Sequence, residues 1–449
     1  MHDPLNVGDL VEYEYRQLRE SGFDVSGIQA ASAAIPAGDL QRLESTYLEL
    51  TRTVRAPGWR YQEPNQLPDI LAAMPARSTA DPARAVPDGL ADRILGGWLG
   101  RIAGCNLGKP VEDGAFWTAA RLRTYLELAG AYPLRDYVPA LDPMPEGFRL
   151  RECWPETTRG LVRGSARDDD IDYSILALWL VEQHGFELTT GQVADALLAY
   201  LPYARVFTAE RTALVNLLHN VPIAKVGETR NPYREWIGAQ IRADVFGWVL
   251  PGRPGTAAEL VFRDAFLTHR GNGIYAAMWA AALVSIACVS RTVSGAFEES
   301  LDYVPAQSRL AEALRAVQDL HRACLSWDEA LETIQTRFGD YSWVHSINNA
   351  CLVAAGLLWG EGDFSTTVGL TVQGGWDTDS NAATAGSVVG TVTGAAKLPR
   401  HFIEPLEDRT RSAVFGYDNS RISDLARRTV RLAEFGLRPH ALTHVSGNP

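Results

Sequence analysis

Between residues 379 and 395 the chain reads as a helix carrying Gly386, Gly390 and Gly394 at intervals of four, with Ala382 and Ala383 before them. Glycine inside a helix costs about 1 kcal/mol relative to alanine. Residues four apart share a helix face, so three glycines on one stripe leave that face bare and let another backbone come very close. Close packing along this stripe would also fix the start of the helix, where Asp377 and Asp379 stand.

Four further stretches carry the helical rhythm: 169–183, 208–219, 273–290 and 346–359. The first opens on aspartate and runs into Gly185, and the fourth is closed by Gly360, as capping favours. Thr208 is placed to cap the second, and Asp379 or Ser380 to cap the 379–395 helix. Few segments alternate with a period of two, and neither a βαβ rhythm nor an internal repeat is visible. The fold class expected is all-α, a bundle of many helices. The 273–290 stretch approaches the length that spans a bilayer, but its Ala and Ser content and its lack of a basic flank mark it as a buried core helix.

Hydrophobic residues make up 46% of the 449 and charged residues 21%, enough for a large core that needs no disulfides. Cys105, Cys153, Cys288, Cys324 and Cys351 form no CxxC pair, which speaks against a cysteine zinc site and for a reducing cytoplasm. A net charge of −12 disfavours extended nucleic-acid binding but not a small phosphorylated ligand held by a few groups or a metal. The first residues lack the basic and apolar regions of a secretory leader. Residues 39–54 place Leu40, Leu43, Tyr47 and Leu50 at helical intervals, whereas 64–89 carry Pro64, Pro68, Pro75, Pro82 and Pro87. We therefore divide the chain into a helical extension with a Pro-rich linker, 1–85, and a main domain, 86–449. Within the latter, 113–163 is rich in proline and aromatic residues and reads either as a lid or as a surface loop packed by its own rings.

Two aspartate clusters carry the chemistry. Asp168, Asp169 and Asp170 are consecutive where a helix begins, with Asp172 following. One or two would serve as caps, worth about 0.3–1 kcal/mol each at that end. Three adjacent ones repel, and a cation relieves the repulsion. The second cluster, 374–381, reads GGWDTDSN: two glycines for a sharp turn, then Asp377 and Asp379, then the Ser380 hydroxyl. The five carboxylates are hard oxygen donors with no His or Cys beside them, which favours magnesium or manganese over zinc or copper. Converging without counter-charge they would be costly to bury, and two divalent ions would nearly neutralise them.

Three motifs have both a plain and a chemical reading. Residues 96–112, GGWLGRIAGCNLGKPVE, form a Gly-rich helix followed by Glu112, a loop acid within possible reach of a site; no phosphate loop of the Gly-Lys-Ser/Thr kind is present. Gly271, Asn272 and Gly273 open the apolar helix, where N–H groups either hold an anion such as phosphate or form a plain helix entry. His345 and Asn349 share a helix face, and Asn348 and Asn349 either cap or hold a ribose.

Taken in order, GKPVE after the Gly-rich helix, the Asp triplet, GNG before the Ala-rich helix and GGWDTDSNAA resemble the ADP-ribosylglycohydrolase family, over about residues 90–400. The resemblance implies an orthogonal all-α bundle, a centre of two Mg2+ or Mn2+ ions, and cleavage of an N- or O-glycosidic bond at the anomeric carbon of ADP-ribose. By position it implies Asp169, Asp170, Asp377 and Asp379 as metal ligands, Ser380 as a hydroxyl ligand and Glu112 as an acid near the metals. Asp168 stands where the family has Thr or Ser, Ile171 where it has Thr, and Trp376 sits between the glycines and Asp377. We expect Asp168 to share in the metal site, and Glu112, Asp168 or Asp170 to transfer protons. Gly271, Asn272, Gly273 and Trp376 are expected to touch substrate. The partner expected is a small-molecule or protein-linked ADP-ribose or riboside, with neither nucleic acid nor membrane. Open beside this stand a hydrolase of nucleosides or nicotinamide-derived ribosides, a non-catalytic ADP-ribose binder, which the intact acids disfavour, and a phosphohydrolase, which would need a phosphate cradle.

Overall fold

The computed structural model describes residues 5–28, 35–36, 38–75, 81 and 86–437. The helices used below are, in chain order, α1 (Val7–Glu20), α2 (Leu40–Leu50), α3 (Leu90–Gly108), α4 (Asp169–His184), α5 (Thr208–Leu218), α6 (Asn272–Ala287), α7 (Arg309–Arg322), α8 (Ser346–Trp359), α9 (Phe364–Gln373), α10 (Thr378–Thr393) and α11 (Ile422–Gly436). Among the described residues the only sheet is a two-residue antiparallel pair, Arg409–Thr410 with Ser420–Arg421. The all-α expectation holds, and each of the five expected helices is present. Every residue of α6 is buried, and no helix is long and apolar enough to cross a membrane among the described residues.

The centre is the pair α3 and α10, which run antiparallel. A methyl group on Gly96, Gly100 or Gly104 would overlap the backbone of Gly390, Gly386 or Ala382 respectively, and one on Gly108 would overlap Thr378. The bare stripe of α10 therefore faces a bare stripe of α3, each step of four on one helix matched by a step of four on the other. At the end of the stripe Thr378 Oγ1 donates to the Gly108 carbonyl at 2.9 Å. This register delivers the turn after α3, with Lys109 and Glu112, to the start of α10. Gly394 has a different task from its neighbours in the pattern: it follows α10 with φ 84°, where the chain turns away.

Helices α1 and α2, with Val25 between them, form a small apolar cluster of their own, from Leu10, Val11, Leu18, Val25, Leu43, Tyr47 and Leu50. The proline-rich stretch is a strap rather than a bare linker. It contains a short helix, Leu67–Ala73, whose Ile70 joins the main core together with Met74; Pro82 lies outside the described residues. Segment 113–163 is packed in part by its own rings, but Trp117, Tyr125 and Tyr137 are buried in the main core rather than held in a surface loop. Trp117 lies 5.3 Å from both Phe116 and Tyr125 and 5.8 Å from Phe148, ring to ring. Thr208 is not a cap: Phe207 holds that position, and Thr208 enters α5 with φ 44°.

Candidate active site

Both aspartate clusters reach one cavity of about 500 Å³. Glu112 lines it from the turn after α3, Asp168, Asp169 and Asp170 from the start of α4, and Asp377, Asp379 and Ser380 from the start of α10. The clusters touch directly: Ser380 Oγ donates to Asp170 Oδ2 at 3.0 Å, across 210 positions of sequence.

Each acid is held differently. Asp168 caps α4, accepting from the Asp170 amide at 3.0 Å, and is ion-paired with Lys109. Asp170 uses its other oxygen to meet the fully buried Arg101 at 3.2 Å, and Arg101 also grips Asp244 at 2.8 Å. Glu112 Oε2 pairs with Arg151 Nη1 at 2.9 Å. Asp377 occupies the cap position of α10, yet its side chain makes no capping hydrogen bond. Neither Asp379 nor Ser380 is the cap. The tight turn that aims Asp377 uses Gly375 at φ 77° and Trp376 at φ 58°, a conformation costly for a tryptophan. Asn349 steadies this turn, its Oδ1 accepting from the Asp377 amide at 3.2 Å and from Asn381 Nδ2 at 2.7 Å. Asp172 stays apart, taken up by Ser412 Oγ at 2.7 Å and the Ala413 amide at 2.8 Å.

Burial, then the charge of Asp379, pushes Asp170 up to about 8 and raises Glu112 and Asp377 well above the usual carboxylate range. Burial pushes Asp169 up to about 6 against the pull of Arg167 and Lys109. Basic side chains pair with Asp168, Asp170 and Glu112; among the described residues no Lys or Arg forms an ion pair with Asp169, Asp377 or Asp379. The cavity thus gathers more carboxylates than the basic side chains that pair with them.

The donor set suits a hard divalent ion. Glu112, Asp377 and Asp379 each offer an oxygen within 4.8 Å of the others, and Asp168 and Asp379 form a second such group with Cys105. Burial holds the Cys105 thiol well above its ordinary value, so it stays protonated and leaves the oxygens as donors. Residues Glu112, Asp168, Asp377 and Asp379 can hold a metal such as Mg2+ or Mn2+.

Two expectations are corrected. Gly271, Asn272 and Gly273 offer no anion site, because their amides are already used: Gly271 donates to Asn65 Oδ1 at 2.7 Å, Asn272 to Glu235 Oε1 at 2.9 Å and Gly273 to the Arg270 carbonyl at 3.1 Å. Trp376 is buried in the main core and does not line the cavity. The aromatic wall comes instead from Phe207, Trp236 and Trp343, and the basic groups from Lys109, Arg151 and Arg167. Lys109 lies within the GKPVE motif and Arg167 directly before the Asp triplet. Trp236 and Trp343 lie in aperiodic segments and carry no signal. Glu210, buried against Arg242, also lines the cavity unannounced by any motif. His345 is structural, its Nδ1 accepting from the Ile347 amide at 3.2 Å to cap α8.

A family model described as ADP-ribosylglycohydrolase matches residues 86–436. A solved structure described as an ADP-ribosylglycohydrolase-related protein complex aligns with a TM-score of 0.45 at 18% identity, covering 77% of this chain and 100% of the other. No curated protein matches the chain.

Proposed function

The chain belongs to the ADP-ribosylglycohydrolase family, and from that premise we propose that its cavity hydrolyses the N- or O-glycosidic bond of an ADP-ribosyl group with two divalent cations, Mg2+ or Mn2+. The observation that carries this reading is the meeting of the two aspartate clusters through Ser380 and Asp170. Asp379 belongs to both groups of potential donors, which suits a ligand shared between two ions. Asp377 would complete one side, and Asp168, Asp169 and Asp170, with Ser380, the other. The start of the family match at residue 86 supports the division into an extension, 1–85, and a main domain, 86–449.

The ions, when bound, would supply Lewis-acid charge beside the ribose hydroxyls and the attacking water. The remaining work falls to the chain. Glu112, raised by burial and by Asp379 and tethered by Arg151, holds its proton more tightly than an ordinary carboxyl. It is therefore the group placed to give a proton to the leaving nitrogen or oxygen, or to take one from water. Asp168 and Asp170 are less suited to that role, the first being occupied as a cap and by Lys109, the second having both oxygens engaged. Negative charge around the anomeric carbon favours the positive charge that develops there as the bond breaks.

Phe207, Trp236 and Trp343 offer apolar faces to a nucleoside, and Arg151 and Arg167, paired within the protein with Glu112 and Asp172, place positive charge at the cavity wall for a diphosphate. These features favour ADP-ribose over a bare riboside. The test is hydrolysis of ADP-ribosyl-arginine, ADP-ribosyl-serine and free ribosides, each with EDTA and with Mn2+ or Mg2+ restored. Cleavage of an ADP-ribosyl substrate that stops in EDTA is the expected result. Turnover of free ribosides alone would shift the substrate class, and undiminished turnover in EDTA would overturn the metal site.

A further inference from the structure

We propose that the N-terminal segment, through α1, is a positioning element that holds the aromatic wall of the cavity and so sets substrate affinity. The proposal rests on the reading of that cavity as the substrate site. The segment lies outside the family match, which starts at residue 86.

The wall is made of two short stretches. Trp236, Ile237 and Gly238 line the cavity from one, Trp343 and Val344 from the other. They are stitched together: the Ile237 amide donates to the Val344 carbonyl and the Ser346 amide to the Glu235 carbonyl, both at 3.0 Å, and Ser346 Oγ donates to the Trp236 carbonyl at 2.9 Å. Trp236 and Trp343 both lie outside the long helices, so the position of the wall depends on what stands behind it.

What stands behind it is α1. Tyr13 meets Trp236 edge-on with ring centroids 5.7 Å apart, and lies 5.5 Å from Tyr233, which in turn lies 4.7 Å from Trp236. Glu14 holds Arg234 with two hydrogen bonds of 2.8 and 2.9 Å. Glu20 Oε1 accepts from the Ser342 amide at 2.8 Å. One helix thus contacts both stretches.

Glu235, the residue before Trp236, ties these contacts into one hub. The residue is 4% exposed. It accepts from Gln17 Nε2 at 2.7 Å, Ser21 Oγ at 2.9 Å, Arg309 Nη2 at 2.7 Å and the Asn272 amide at 2.9 Å. A buried carboxylate is tolerated only when a counter-charge and donors fill its lone pairs. One of these donors, Gln17, comes from α1 and another, Ser21, from its C-cap, and none of the hub residues belongs to the acid clusters. The GNG motif finds its role here, as an internal partner of Glu235.

The test uses the full chain with Tyr13→Ala, or with Gln17→Ala and Ser21→Ala together. The control is Glu44→Gln, which breaks a peripheral pair of 2.9 Å hydrogen bonds between α2 and Arg230. In the α1 variants, KM for ADP-ribosyl-arginine and the Kd of ADP-ribose are expected to rise about tenfold, the kind of loss a displaced binding wall produces. Their kcat and Mn2+ affinity should stay within about twofold of wild type, and the control should leave KM alone. The Ile237 and Ser346 amides should exchange with solvent faster while α10 stays protected. Lower thermal stability with unchanged KM, ADP-ribose affinity and exchange would overturn the proposal, as would loss of Mn2+ binding. If the wild-type chain takes up Mn2+ but not ADP-ribose, the substrate reading fails by itself. Amide exchange then decides the positioning role, faster exchange in the α1 variants supporting it and unchanged exchange overturning it.

Discussion

A buried carboxylate without a cation beside it must take up a proton or find a metal. Asp169, pushed up to about 6, and Asp377, raised well above the usual carboxylate range, show this choice most plainly, and burial pushes Asp170 up to about 8 even with Arg101 beside it. An acid whose folded-state value is raised binds protons more tightly folded than unfolded, where carboxylates titrate at about 4. The metal-free chain should therefore gain stability from these groups as the pH falls through about 8 and then about 6. Mn2+ should flatten that dependence, and its binding at pH 7 should release protons into a weak buffer. Denaturation midpoints at pH 8 and pH 6, with and without Mn2+, check this; a metal-free chain no more stable at the lower pH would contradict it. Glu112→Gln should lower kcat by about 10²–10⁴, the usual weight of a positioned proton donor; unchanged kcat would remove Glu112 from the proposed proton transfer. The acids were legible because repelling neighbours stand next to one another in the sequence. Trp236, Trp343 and Glu210 were not, because nothing local distinguishes a wall residue from a core residue.

Among the elements, the pairing of α3 with α10 does most to place the site, because its register sets where Glu112 meets Asp379. Gly386→Ala measures this contact with opposing terms. Helix propensity alone would gain about 1 kcal/mol, but the new methyl would overlap the Gly100 carbonyl. Overpacking costs about 1–3 kcal/mol, so the substitution is expected to destabilise. Gly100→Val should cost more, about 3 kcal/mol, and should weaken Mn2+ binding by shifting the register; chemical denaturation and Mn2+ titration check both. A Gly386→Ala chain more stable than wild type would show that the helices can move apart. The sequence displayed both glycine stripes but not that they face each other, since a stripe requires a close neighbour without specifying which. Gly394 fits the same spacing and ends the helix instead, because a period of four cannot mark its own last step. The GNG turn misled for a related reason: a helix entry looks the same whether its amides await a ligand or already meet Asn65 and Glu235.

For the molecule as a whole, the site is a convergence of three distant parts of the chain, α3, α4 and α10, in a protein of net charge −12. The fold class and the two acid clusters could be read from pattern and adjacency. The support of the wall by α1 could not, since Gln17 and Glu235 are 218 positions apart and no local rhythm links them. A cation bound at this junction should stabilise the whole fold, by about 2.7 kcal/mol at a hundredfold excess over its Kd. Thermal unfolding in EDTA and in Mn2+ should show that gain in the wild type and not in Asp379→Asn, which should remain helical but inactive. The most direct measurement is anomalous diffraction from crystals grown with Mn2+. The account predicts metal peaks in the cavity contacted at once by Asp169 or Asp170 and by Asp377 or Asp379; peaks confined to one cluster, or lying elsewhere with the cavity empty of metal, would contradict it.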